Sequence, residues 1–235
     1  MNTIILLSAI LIILFIIYII LSNISTPSVR LITDKKLDLS KEQLVLNSDD
    51  AKRILLQSGS SLMAYVYLEQ GNKTKSVEQT IIKQDGIWAL NLNNGEPVLI
   101  VKTLNGTENI RLPVLSYQKW IAITLVRDGR RFDIYYNGEL VLSHRMRSYI
   151  ASQLAPLKTG SVALQGGITH IYSASRILSG QDIYNLYKKT SDTRGRPYIK
   201  EDTVIIPKIG CPSGPLCPTS TPPPNPYKKW VTQYS

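Results

Sequence analysis

The stretch YQKWIAITLVRDGRRFDIYYNGELVLSHR, Tyr117 to Arg145, decides the fold. Apolar residues recur at alternate positions through Trp120–Val126, Arg131–Tyr136 and Leu140–Arg145. A period of two puts successive side chains on opposite faces, the mark of a strand. Asp128-Gly129 and Asn137-Gly138 stand between these runs. Such pairs accept the positive φ of a tight hairpin, so the three runs read as consecutive antiparallel strands.

The same pattern extends to both sides. Strands are expected over Arg53–Gln57, Leu62–Glu69, Gln79–Gln84, Ile87–Leu92, Pro97–Thr103, Glu108–Leu112, Gly160–Leu164 and Ile168–Tyr172. Turn signals separate them: Gln70-Gly71-Asn72, Asp85-Gly86, Asn93-Asn94-Gly95, Asn105-Gly106 and Gln165-Gly166-Gly167. Many short strands at this spacing describe an antiparallel sandwich. In Leu62–Leu68 both faces are largely apolar, as in a central strand covered on both sides. Ser179–Lys189 reads as a short helix, with Ser179 as N-cap, Asp182 closing a capping box, and Ile183, Leu186 and Tyr187 on one docking stripe.

At the N-terminus, Thr3 to Ser22 holds no charged residue. About 20 helical residues span the ~30 Å hydrocarbon core of a bilayer. The run is too long for a secretory signal and lacks a positive start, so a retained single-pass anchor is expected over residues 1–22. Residues 23–50 read as a connector with some order, including VRLIT as a short strand, and 51–190 as the sandwich. Residues 191–235 read as a Pro-rich extended tail. Its end carries Tyr227, Lys228, Lys229, Trp230 and Tyr234, expected to dock on a partner. Cys211 and Cys217 in the tail stand close enough for a local disulfide and serve equally well as two free thiols.

The chain of 235 residues has 27 Lys and Arg against 17 Asp and Glu, a net charge of +10. The basic residues fall in small groups at turns and ends, so the charge is read for lipid headgroups or an acidic protein face, with no nucleic-acid partner. Basic residues flank the anchor on its C-terminal side only, which places the main domain on the cytosolic face. Three glycosylation-type triplets, at Asn23, Asn72 and Asn105, argue for the opposite side.

Trp120, Asp128-Gly129 and Tyr136-Asn137-Gly138-Glu139, with Gly167–Tyr187 as a closing strand and helix, carry a resemblance. This pattern resembles the laminin-G-like, concanavalin A-like lectin/glucanase superfamily. The resemblance implies a mainly β antiparallel sandwich of concanavalin A-like jelly-roll type, here with an N-terminal transmembrane helix and one short C-terminal helix. It also implies that Trp120 fills the space between two sheets.

The chemistry of the superfamily is largely missing. Its hydrolases use paired carboxylates about 5–5.5 Å apart, supplied from one strand. Glu69, Glu78, Glu96, Glu108 and Glu139 each lack a carboxylate two residues on, so no catalytic residue is expected and the chain reads as a non-enzyme. Asp133-Ile134-Tyr135-Tyr136-Asn137 matches the first fragment of a legume-lectin calcium loop. Val141 and Leu142 then replace the next carboxylate, leaving Asp133 and Asn137 as weak metal candidates with too few oxygens. No cofactor is expected. A short anchor followed by such a domain is similar to virion membrane proteins of large DNA viruses. That resemblance implies a structural link between an internal membrane and capsid proteins. The alternative is a membrane-tethered carbohydrate-binding module that stacks loop Tyr and Trp rings on glycans.

Overall fold

The computed structural model describes residues 11–18, 29–52, 54–55, 59–71, 78–151, 153–162 and 164–199. Residues 11–18 are helical (α1) and every one of them is exposed. The rest of the expected anchor lies outside the described residues, as does the whole tail with Cys211, Cys217 and the Tyr227–Tyr234 segment. Among the described residues no helix is long and apolar enough to cross a membrane.

Thirteen strands and two further helices follow. They are β1 (Val29–Thr33), β2 (Leu37–Asp38), β3 (Gln43–Leu46), α2 (Ser48–Ala51), β4 (Ser60–Leu68), β5 (Gln79–Gln84), β6 (Trp88–Asn93), β7 (Glu96–Thr103), β8 (Gly106–Arg111), β9 (Trp120–Asp128), β10 (Arg131–Tyr136), β11 (Glu139–Arg145), β12 (Leu157–Thr159), β13 (Gly166–Ala174) and α3 (Gly180–Thr190). They form two antiparallel sheets. The seven-stranded sheet runs β1-β13-β4-β9-β10-β11, with β2 also on β13, and the six-stranded sheet runs β3-β12-β5-β6-β7-β8. This is the expected mainly β sandwich. Residues 29–46, read from sequence as part of a connector, supply β1 to β3 and so belong to both sheets.

Strand alternation sorts the side chains. Leu62, Ala64, Val66 and Leu68 of β4 join Ile121, Ile123 and Leu125 of β9 in the core between the sheets. Leu90, Leu92, Leu99 and Val101 meet them from the six-stranded sheet. On the other face of β4, Met63 and Tyr65 are buried with Ala122 beneath Leu186 and Tyr187 of α3. Ile183 packs on Val126 and Ala174. The helix therefore covers the outer face of the seven-stranded sheet. Its capping box is present: the Ser179 hydroxyl accepts from Asp182 N at 3.2 Å and the Asp182 carboxylate from Ser179 N at 3.1 Å. The Tyr65 hydroxyl sits 2.8 Å from Thr190 Oγ1, and burial pushes its pKa up to about 12.

The hairpins follow the turn chemistry. Asn94-Gly95 and Asn137-Gly138 take positive φ at both positions, 51° and 81°, and 52° and 89°. Tyr135 and Tyr136 point to opposite faces, toward the α3 side and the main core respectively.

Four expectations are corrected. Trp120 does not fill the inter-sheet space. It pairs with Tyr67 in the register and packs on that ring, at 5.5 Å between centroids, on the outer face. The strand expected over Gly160–Leu164 forms earlier, as β12. Gly160, at φ +84°, ends it where the Leu39 carbonyl would lie 2.9 Å from an added Cβ. Of the strand expected over Arg53–Gln57, residues 54–55 are described, and they bend with Leu55 at φ 53°. The buried Arg127 guanidinium holds the Leu55 carbonyl there at 2.6 Å. Gly166-Gly167 is not a turn but the start of β13, paired with Leu68 and Tyr67.

The reason for Gly166 is close approach. Its φ is +151°, and an added Cβ would collide with the Tyr67 carbonyl oxygen. Gly166→Ala is therefore expected to destabilise the sandwich by about 2–4 kcal/mol, on the scale of other backbone-strain substitutions. A thermal melt should show a fall of roughly 5–15 °C. An unchanged melting temperature would refute the close approach.

Candidate functional site

Among the described residues no helix packs over the outer face of the six-stranded sheet, as α3 does over the other sheet. Alternation, with a register slip between Thr80 and Ile82 of β5, brings Thr80 and Lys83 of β5, Ala89 and Asn91 of β6, Ile100 and Lys102 of β7 and Thr107 of β8 to the walls of an open depression of about 320 Å³. Ala89 and Ile100, both half-buried, give it apolar ground.

Asn91 is the unusual residue. It is only 5% exposed. Its Nδ2 donates to Glu78 Oε1 at 2.5 Å. A carboxylate oxygen only accepts, so this bond fixes which way the amide points and leaves Oδ1 as the remaining atom. Among the described residues Oδ1 has no hydrogen-bond partner. A buried unpaired acceptor costs about 1–3 kcal/mol. Of the four buried side-chain atoms in this condition, Asn91 Oδ1 alone belongs to a residue lining the depression.

One end of the depression is fixed by charge. Lys83 and Lys158 each contact both Glu42 and Asp85, at 2.8–3.0 Å, tying β12 to β5. Hydrogen bonds from Lys158 to Asp85 and from Lys83 to Glu42 lead in holding both carboxyls below their ordinary values. The same bonds raise both lysines. All four groups remain partly solvated.

The residues singled out from sequence take other places. Asp133 accepts from Ser143 Oγ at 2.5 Å and pairs with Arg131 at 3.2 Å. Asn137 Oδ1, in the β10–β11 turn, accepts from Ala122 N of β9 at 3.0 Å. Each thus serves the β9–β10–β11 hairpins, and the two do not converge on one point. Among the described residues no group of three or more His, Cys, Asp or Glu could hold a metal ion. His144 Nε2 lies 2.8 Å from Glu108 Oε1, joining the edge strands of the two sheets. His170 sits at a register slip in β13, at φ 49°, where burial lowers its pKa. Trp88, 2% exposed, donates inward to Gln84 at 2.6 Å. The Trp88 ring is therefore not available to a sugar, while Trp120 is half-buried against Tyr67.

No protein-family model matches the chain, and no curated protein matches it. Solved structures do. The receptor-binding domain of botulinum neurotoxin C/D mosaic serotype is similar at TM-score 0.57 and 22% identity, over 72% of this chain and 48% of that one. The ligand-binding domain of botulinum neurotoxin serotype D in complex with N-acetylneuraminic acid is similar at TM-score 0.55 and 21% identity, over 72% and 48%. The type G receptor-binding domain follows at TM-score 0.50 and 20% identity, over 60% and 41%. The chain spans about half the length of these structures. At such identity the likeness is one of fold: an antiparallel β-sandwich.

The charge quartet makes a testable statement. Its two carboxyls sit below their ordinary values of 3.8 and 4.5 in the folded chain. Their stabilisation is therefore complete above those values and lost as pH falls through the lower folded ones. The raised lysines lose theirs only in strong alkali. Lys158→Met should lower the melting temperature at neutral pH, with the gap to wild type closing in acid and in high salt. A gap independent of both would show that the quartet acts through packing alone.

Proposed function

We propose that the chain is a non-enzymatic, membrane-tethered recognition module whose sandwich binds carbohydrate in the depression on the six-stranded sheet. The observation that carries this reading is Asn91 Oδ1, a buried acceptor left for a ligand hydroxyl. Glu78 supplies a second acceptor beside it and Lys102 a donor across it, while Ala89 and Ile100 offer apolar ground to a sugar's C–H face. Small-ligand sites join apolar surface to a few convergent polar groups in this way. The fold shared with receptor-binding domains supports the reading. One of those neighbours is a complex with N-acetylneuraminic acid. The tether is the Thr3–Ser22 run, with the sandwich on the cytosolic face.

A second reading is a minor virion component linking an internal membrane to a capsid. The exposed apolar helix at residues 11–18 favours a lipid partner, and the net charge of +10 suits an acidic protein layer. Under that reading the detergent-solubilised chain copurifies with a shell protein and binds no glycan.

Asn91→Leu separates site from scaffold. It replaces a half-paired amide with an apolar group of the same branching, at the open wall of the depression where the larger methyls have room, so the melting temperature should hold or rise. On a glycan array the full chain in detergent should give a signal, persisting in EDTA, that the variant loses by about tenfold or more. Equal signals from variant and wild type would remove the depression from consideration. An array silent for the wild-type chain would remove carbohydrate.

A further inference from the structure

The depression does not end at β8. Thr107 lines it and also a second cleft of about 380 Å³, which reaches the end of β11. Arg145 lines that cleft and a third of about 310 Å³, whose other walls are Asp128, Arg130, Arg131 and Tyr149. Shared walls at Thr107 and Arg145 therefore link the three clefts, from the sheet face around the β8 edge to the β9–β10 turn.

Charge is distributed unevenly along this path. At its beginning Glu78 and Asp85 are balanced by Lys83 and Lys102 on the same walls. At its far end Arg131 is neutralised by Asp128 and Asp133, each at 3.2 Å. Arg130 donates to the Arg147 carbonyl at 3.2 Å and lies 5.5 Å over the ring of Tyr149, which is 58% exposed. Glu108 is already engaged by His144 at 2.8 Å and by the Arg147 amide at 3.1 Å. Among the described residues no hydrogen bond or ion pair within 4 Å reaches the guanidinium of Arg145 or Arg147, although the Glu108 carboxylate attracts Arg147 from further off. Arg145 stands directly across the strand pair from Arg131, whose charge the two aspartates already offset, so Arg145 is the uncompensated member of the pair. An anion seated on Arg145 would give it the kind of partner that Arg131 has in its two aspartates.

We infer that the three clefts form one groove for a linear oligosaccharide with a sparse acidic substituent, a sulfate or a carboxylate, held by Arg145 and Arg147. This rests on the carbohydrate reading above and adds the class and direction of the ligand. The guanidinium fork matches two oxygens of such a group. Asn105, Asn109 and Ser148 line the middle cleft with groups suited to sugar hydroxyls. A lipid headgroup uses only the arginine end.

The test uses the full chain in detergent on an array of glycan pairs identical but for one sulfate or carboxylate. The acidic member should bind about tenfold more strongly. Arg145→Gln with Arg147→Gln should reduce it to the level of its neutral partner, leaving neutral binding intact. Lys188→Gln with Lys189→Gln, on α3, should change nothing. Equal binding of the two members overturns this inference and leaves the carbohydrate reading standing. So does an equal loss in the lysine variant, which marks unspecific attraction. Full displacement of the acidic glycan by phosphatidylserine-containing phosphatidylcholine vesicles, through the same arginines, assigns them to lipid and overturns it too. A chain that binds no glycan at all sinks both readings.

Discussion

The burial of β4 and β9 on both faces is the constraint on which the rest of the structure depends. Their inner side chains close the core against the six-stranded sheet, and their outer ones need a second cover. The chain supplies that cover last, as α3, held by Ile183, Leu186 and Tyr187 and oriented by its capping box. Tyr65 joins the two layers, since its hydroxyl reaches the end of the helix from the middle of the sheet. A sandwich has two outer faces, and the helix covers one of them. The depression over β5 to β8 lies on the other.

On the six-stranded sheet the polar groups are arranged under tension. Asn91 is held by one carboxylate with its other amide atom unpaired, and Lys83 and Lys158 share two acids at the border of the same surface. A chain selected for stability alone would fill the Asn91 position with an apolar side chain. The arginine end carries the same sign. Arg127 and Arg131 have partners, while Arg145, across the strand pair from Arg131, has no carboxylate within ion-pair distance among the described residues.

Much of the fold was legible because local rules and tertiary structure agree. Gln79–Gln84 and Arg131–Tyr136 have the boundaries that alternation assigns, and the Ser179–Asp182 capping box is where the helix begins. The failures have physical causes. Alternation shows that β9 has two apolar faces but not which one meets the partner sheet, so Trp120 was assigned to the wrong side. A Gly-Gly pair reads as a turn, but Gly166 is required by the approach of the Tyr67 carbonyl from a strand almost a hundred residues earlier in the chain. Residues 29–46 show weak alternation because β1 and β3 lie at sheet edges and need little apolar surface. The site was less legible still. Asn91 resembles the turn asparagines that follow it in sequence, and its burial depends on Glu78 from another strand border. Arg145 was visible as a basic residue, but the sequence does not say which of its neighbours already have acidic partners.

The most direct measurement is a structure of the full chain with an acidic oligosaccharide bound. The account places the sugar along the β5–β8 face, a hydroxyl within hydrogen-bond distance of Asn91 Oδ1 and the acidic group on Arg145. A sugar seated over α3, or one that touches neither Asn91 nor Arg145, would contradict it.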